Sequence, residues 1–177
     1  MKKILILIVA LVILSIPIPL QAATATAVIQ GTREDSQLVG AVRLEDTDEG
    51  LRIEAQIFGA PPGIHGIHIH ENGSCENQGD GAGGHFNPKG VQHGFLPTDG
   101  LDKVHAGDFG NIEINQSGEG SLFLVIPGLT VTGGTYNVEG RSLILHEKQD
   151  DFGQPTGNAG GRIGCGIIKT TAYSREP

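Results

Sequence analysis

Leu51-Arg52-Ile53-Glu54-Ala55-Gln56-Ile57 alternates apolar and polar side chains without a break. In an extended strand, successive side chains point to opposite faces. The stretch therefore predicts a β-strand with one buried and one solvent-facing side. Strands of this kind are typical of antiparallel sheets that cover a core with one face only.

Similar short runs, apolar or alternating, recur along the chain between Gly, Asp, Asn and Pro residues. The chain has 28 glycines and no tryptophan, and few stretches show a helical period. The predicted strands are residues 24–30, 37–44, 50–58, 66–70, 110–115, 120–126, 142–146 and 164–169. Eight such strands predict an all-β fold, an eight-stranded β-sandwich or flattened barrel.

Two long connections, residues 71–105 and 147–163, interrupt this pattern. Connections of such length inside a domain are usually functional or disordered. They contain residues of chemical interest, namely Cys75, His85, His93, His105 and Arg162. We expect bound metal and a disulfide to order segments this rich in glycine.

The amino terminus predicts a signal peptide over residues 1–22. Lys2 and Lys3 precede an apolar run over residues 4–16, and Leu20-Gln21-Ala22 resembles a cleavage site. The run is shorter than the roughly 20 apolar residues that span a bilayer. Cleavage would leave one domain, residues 23–177, in a periplasm or outside the cell. An uncleaved membrane anchor is the alternative.

The chain is acidic, with a formal net charge of −8. Loss of Lys2 and Lys3 would leave ten Lys and Arg against 20 Asp and Glu, a net charge of −10. This balance argues against nucleic acid as a partner.

The two cysteines, Cys75 and Cys165, would meet an oxidising compartment, where a disulfide is the default. On the chain-entropy model, a bridge across that separation contributes about 4–5 kcal/mol. Two free buried thiols are the alternative.

Six of the seven histidines and one aspartate fall at the spacing of two metal sites that share a ligand. His68 and His70 lie on one face of a predicted strand, about 6.6–6.8 Å apart along the backbone, and can converge on one ion. With His146 they form an all-nitrogen group, which suits Cu(II). The second group, His85-x7-His93-x11-His105-x2-Asp108, combines imidazoles with a carboxylate and suits zinc.

The remaining histidine, His65, is an odd number of residues from His68 and should point to the opposite face of the strand. It is predicted to be a hydrogen-bonded core residue or a support for a ligand. Each motif alone is weak evidence, since strands carry surface histidines and an aspartate near a histidine is usually a turn residue. The joint pattern is much stronger.

Five longer motifs carry a family resemblance. They are His68-Ile69-His70-Glu71, Gly84-His85-Phe86-Asn87-Pro88, His105-Ala106-Gly107-Asp108-Phe109-Gly110-Asn111, His146-Glu147-Lys148-Gln149-Asp150-Asp151 and Gly157-Asn158-Ala159-Gly160-Gly161-Arg162-Ile163-Gly164-Cys165-Gly166. On these motifs, residues 65–168 resemble a secreted, bacterial-type copper/zinc superoxide dismutase. The resemblance implies a Greek-key β-barrel.

The resemblance also implies a role for each residue of the site. The implied copper ligands are His68, His70, His85 and His146. The implied zinc ligands are His85, His93, His105 and Asp108. Asp150 would join a copper-ligand and a zinc-ligand histidine, Arg162 would guide the substrate, and Cys75 and Cys165 would form the family disulfide.

The implied activity converts superoxide to oxygen and hydrogen peroxide, with copper cycling between Cu(II) and Cu(I) and zinc redox-silent. His85 would bridge the two metals and pass a proton to the substrate. Because a net charge of −10 repels superoxide, the local potential near Arg162 must outweigh the global charge.

Two other functions stay open. A copper-binding or copper-delivery protein could use the same fold, although such proteins can lack a ligand or the arginine. A structural or adhesive sandwich with incidental histidines would bind no stoichiometric metal. The resemblance is compatible with a homodimer, but the stretch from Cys75 to His85 looks expanded where some relatives make dimer contacts, so the dimer geometry cannot be transferred.

Overall fold

The first three strands show the alternation that the sequence predicts. In the computed structural model, which describes residues 22–171, they are β1 (Thr24–Gly31), β2 (Val39–Thr47) and β3 (Gly50–Phe58). The inward side chains of β3 are Leu51, Ile53, Ala55 and Ile57, each no more than 2% exposed. Glu54 and Gln56 face solvent. This half-buried strand therefore has the two faces that its sequence requires.

The remaining strands are β4 (Gly63–His70), β5 (Asp108–Ile114), β6 (Gly120–Ile126), β7 (Ser142–His146), β8 (Arg162–Ile167) and β9 (Lys169–Thr170). All eight predicted strands are present, although the last begins at Arg162 and breaks before Lys169. The first long loop also contains a 3₁₀ helix (Asp80–Ala82) and α1 (Leu96–Asp99), which we did not predict. Both are too short to show a helical period in the sequence.

The strands form one antiparallel sheet in the order β5-β4-β7-β8-β1-β2-β3-β6, and β9 pairs with β1. In this order β3 pairs with β6, and β4 pairs with β7. The β3–β4 and β6–β7 connections therefore join strands that are not neighbours in the sheet, as in a Greek key. The terminal strands β5 and β6 are joined by a tight turn in which Asn115 N donates to Glu119 O over 2.8 Å. The sheet is thus a nearly closed barrel, and the predicted fold class is confirmed.

The predicted signal peptide lies outside the described residues except for Ala22. Between residues 22 and 171, no helix is both long and apolar enough to cross a membrane.

A disulfide joins Cys75 in the first long loop to Cys165 on β8, with 5.7 Å between the Cα atoms. The bond packs in a small apolar cluster with Ala82 and Ile144, separate from the main barrel core. The predicted disulfide is therefore confirmed, and it ties the loop to the barrel near Arg162.

Replacing both Cys75 and Cys165 with alanine is expected to lower the free energy of unfolding by about 4–5 kcal/mol, because the bridge restricts the unfolded chain. Urea titration of the metal-free protein measures this loss without a metal contribution. A loss below about 1 kcal/mol would contradict the expected role.

Candidate metal centre

Two neighbouring strands provide three of the histidines. His68 and His70 lie on β4, and His146 ends β7, which pairs with β4 through Ile67 opposite Leu145. A register shift between Gly66 and His68 bends β4 where it leaves β5. The three rings are between 0% and 5% exposed, so the barrel wall holds them out of solvent.

The first long loop and the start of β5 provide the other four residues, namely His85, His93, His105 and Asp108. The loop returns to β4 beside His85, where Phe86 N donates to Ile69 O over 2.8 Å. A Cβ on Gly107 would lie 2.1 Å from Ile69 O, so only glycine permits this close approach. The backbone contacts place the His85 ring beside those of β4.

The seven side chains form two groups that share His85. Potential ligand atoms of His68, His70, His85 and His146 all lie within 4.8 Å of one another. The same holds for a second group, which contains His85, His93, His105 and Asp108. The structure therefore brings every predicted ligand into the predicted group.

The spacing inside each group suits a single ion. His70 Nε2 and His146 Nε2 are 3.3 Å apart, close to the edge of about 3.3–3.4 Å in a tetrahedron with 2.0–2.1 Å metal–nitrogen bonds. Asp108 Oδ1 lies 2.7 Å from His85 Nδ1 and 3.1 Å from His105 Nδ1. Because Nδ1 of His85 faces the second group, its Nε2 is the nitrogen left for the first.

Two buried ring nitrogens, His68 Nδ1 and His93 Nδ1, have no hydrogen-bond partner within residues 22–171. His93 Nδ1 is only 2.8 Å from Asp108 Oδ2, but the contact lacks hydrogen-bond geometry. A buried polar atom without a partner is costly, and a metal ion in each group would satisfy the nitrogen that faces it. The donor sets therefore fit metal ions.

Asp150 links the two groups. Its carboxylate accepts from His68 Nε2 at 2.8 Å and from His93 Nε2 at 3.0 Å, which leaves Nδ1 of each ring to face its group. Asn111 holds Asp150 in turn, since its amide donates to Asp150 O and accepts from Asp150 N. The sequence motifs predicted the link through Asp150, but we did not identify Asn111.

Burial keeps three of the rings neutral. Desolvation, followed by repulsion from nearby histidines, lowers the pKa of His70 to about 2 and that of His146 to about 3. Desolvation also lowers the pKa of His85 to about 4, against the hydrogen bond to Asp108. Neutral imidazole is the form that binds metal, so these ligands are ready at neutral pH.

The carboxylates remain charged despite their burial. Desolvation raises the pKa of Asp108, but the hydrogen bonds from His105 and His85 and the close contact with His93 outweigh it and hold that pKa well below its usual range. For His93, desolvation is likewise outweighed by the nearby carboxylates of Asp108 and Asp150, which raise its pKa to about 9. Asp108 thus keeps a negative charge where a dication would bind, and His93 would lose its proton as it binds the ion.

Arg162 lies beside the first group. Its guanidinium donates to Gly79 O at 2.5 Å and to Gly83 O at 2.6 Å. Gly83 O also accepts from His70 Nδ1 at 2.9 Å, so one carbonyl connects the arginine to a ligand histidine. Arg162 is the first residue of β8 and lies three residues before Cys165. The disulfide and the loop carbonyls therefore both restrain its position.

His65 belongs to neither group. It is 4% exposed, and its ring nitrogens each lie 2.9 Å from a carbonyl oxygen, those of His146 and Pro61. It is a buried, hydrogen-bonded histidine, as predicted, and it supports the backbone of His146.

Residues 38–168 match the family model for copper/zinc superoxide dismutase, and the chain therefore belongs to this family. The family, the nearly closed barrel and the paired donor sets support the predicted oxidoreductase function and confirm copper and zinc as the cofactors.

Several relatives are extracellular enzymes. The chain is 39% identical over 142 residues to an extracellular superoxide dismutase [Cu-Zn] of Caenorhabditis elegans, and the match covers 76% of this chain and 62% of that protein. An extracellular relative from Haemonchus contortus is 37% identical over 140 residues, with 75% and 74% covered. These relatives support the prediction that the chain is exported.

Among solved structures, the clock protein EA4 is similar in fold, with a TM-score of 0.73 and 33% sequence identity. The similarity covers 85% of this chain and 96% of that protein. The barrel is thus shared over nearly the whole length of that structure.

Asp150→Asn is expected to weaken zinc binding by about 10–100-fold, because one amide cannot accept from both His68 and His93. Competition with a chromophoric chelator measures the affinity. The neighbouring exposed carboxylate provides a control, Asp151→Asn, which should leave zinc affinity unchanged. Equal affinities in both variants would remove Asp150 from the support of the site.

Proposed function

We propose that the chain catalyses the dismutation of superoxide to oxygen and hydrogen peroxide. The observation that carries this proposal is the position of His85, one ring whose two nitrogens serve two different donor sets. A site for a single ion needs no such arrangement. The family match supports the same reaction class.

In this proposal, His68, His70, His85 and His146 hold copper. All four donors are imidazole nitrogens, which suit Cu(II). When bound, copper supplies one-electron redox chemistry between Cu(II) and Cu(I). The barrel wall fixes three of these rings, and burial restricts access of other molecules to them.

His85, His93, His105 and Asp108 hold zinc in this proposal. Three nitrogens and a carboxylate make a closed tetrahedral set, which is typical of a structural zinc site. In this structure the Asp108 carboxylate accepts from His85 Nδ1, and bound zinc would hold the same nitrogen, so the other ring nitrogen keeps a fixed direction. That nitrogen, Nε2, is the atom at which we expect His85 to take up and pass on a proton.

Arg162 binds and orients the substrate anion. Its guanidinium is rigid and remains charged, and the Arg162 side chain as a whole is 20% exposed. Two loop carbonyls fix it beside His70. A fixed cation beside the first donor set counteracts the repulsion that the acidic chain exerts on superoxide at long range.

We further propose that residues 1–22 direct export and that residues 23–177 act in the periplasm or outside the cell. The mature domain would work free of membrane and nucleic acid. A homodimer also stays a prediction, which sedimentation of the purified domain would test.

Metal analysis of the purified protein tests the proposed sites. After incubation with both metals, we expect one copper and one zinc per chain, and superoxide loss only in the samples that contain copper. A protein that binds copper stoichiometrically but does not consume superoxide would instead support copper delivery. Substoichiometric metal would contradict both functions.

Arg162→Ala is expected to lower the superoxide rate at least tenfold while copper content stays normal, because the substrate loses its fixed cation. Arg43 lies exposed on β2, and Arg43→Ala is a control that removes the same charge away from the site. Pulse radiolysis at several ionic strengths measures both rates. Unchanged turnover in the first variant would remove Arg162 from the mechanism.

A further inference from the structure

The side-chain amide of Gln154 pairs with the main chain of His93, 61 positions away. Gln154 Oε1 accepts from His93 N over 3.1 Å, and Gln154 Nε2 donates to His93 O over 2.9 Å. Both polar groups of one amide thus contact a single residue, and that residue belongs to the second donor set. The contact crosses from the second long loop to the first.

Two further contacts from the same loop reach the same segment. Asp150 accepts from His93 Nε2, and the ring of Phe152 packs against that of Phe95 with 5.6 Å between centroids. Residues 150–154 therefore contact residues 93–95 through main chain, side chain and ring packing. The His93 side chain is 0% exposed beneath them.

The second loop turns tightly where it makes these contacts. Gly157 has φ +77°, and a Cβ there would lie 1.9 Å from Asp150 Oδ1 and 2.6 Å from His93 Nε2. Gly157 N donates to Gly153 O over 2.7 Å and closes the turn that contains Gln154. The loop is thus packed directly on the Asp150–His93 pair.

We propose that Gln154 is a positioning residue for His93 and controls the rate at which zinc leaves the second donor set. This inference rests on the proposed zinc site. With the amide in place, the His93 backbone can move away only if both Gln154 hydrogen bonds break. Gln154 therefore adds a main-chain restraint to the side-chain restraint that Asp150 supplies.

Gln154→Met tests this proposal, because methionine preserves the length of the side chain and removes both hydrogen bonds. In copper- and zinc-loaded protein, we expect zinc to pass to an excess of chromophoric chelator about 10–100-fold faster than from wild type, the range typical for residues that orient metal ligands. The visible absorption of copper should not change. Gln56→Met, on the exposed face of β3, is the matched control and should release zinc at the wild-type rate.

A second variant separates the two hydrogen bonds. Gln154→Glu keeps an oxygen that accepts from His93 N but loses the donor to His93 O, so its zinc release should lie between those of wild type and Gln154→Met. Wild-type release from both variants would overturn the proposal. So would equal acceleration of zinc and copper release, since that indicates general destabilisation.

Neither of these negative results bears on the proposed function. Superoxide turnover by the wild-type protein tests that function independently. A wild-type protein without bound zinc would overturn both the zinc site and the role of Gln154.

Discussion

The His85 ring lies between two donor sets, and its fixed position is the constraint on which the rest of the site depends. Asp108 holds Nδ1 at 2.7 Å, while the adjacent Phe86 is hydrogen-bonded to β4 and stacked under the Arg141 guanidinium at 3.5 Å. Rotation of this ring would remove a ligand from both groups at once. The local packing therefore determines whether two neighbouring ions can be bound at all.

Both the barrel strands and the long irregular loops determine where the ligands around His85 lie. The barrel wall carries His68, His70 and His146 on the paired strands β4 and β7. The first long loop carries His85, His93 and His105, and Asp108 follows it at the start of β5. The disulfide, Asp150 and Gln154 attach the long loops to the barrel or to each other. Polar and covalent links thus add to the hydrophobic packing that Phe86, Leu96 and Val104 make with the barrel core.

The sequence predicts the strands well, because alternation along β3 and histidine spacing on β4 follow directly from the geometry of an extended chain. The resemblance then predicts the ligand groups and the Asp150 link. Neither source predicts Asn111, Gln154 or the two short helical turns. Asn111 and Gln154 act through contacts between residues far apart in the chain, and the helical turns are too short to show a period.

Anomalous diffraction at the copper and zinc edges, from crystals of the fully loaded protein, tests the account most directly. The account predicts copper next to His85 Nε2 and zinc next to His85 Nδ1, with the zinc–nitrogen distance at about 2.0–2.1 Å. A single metal peak, or a His85 ring that contacts only one ion, would contradict it.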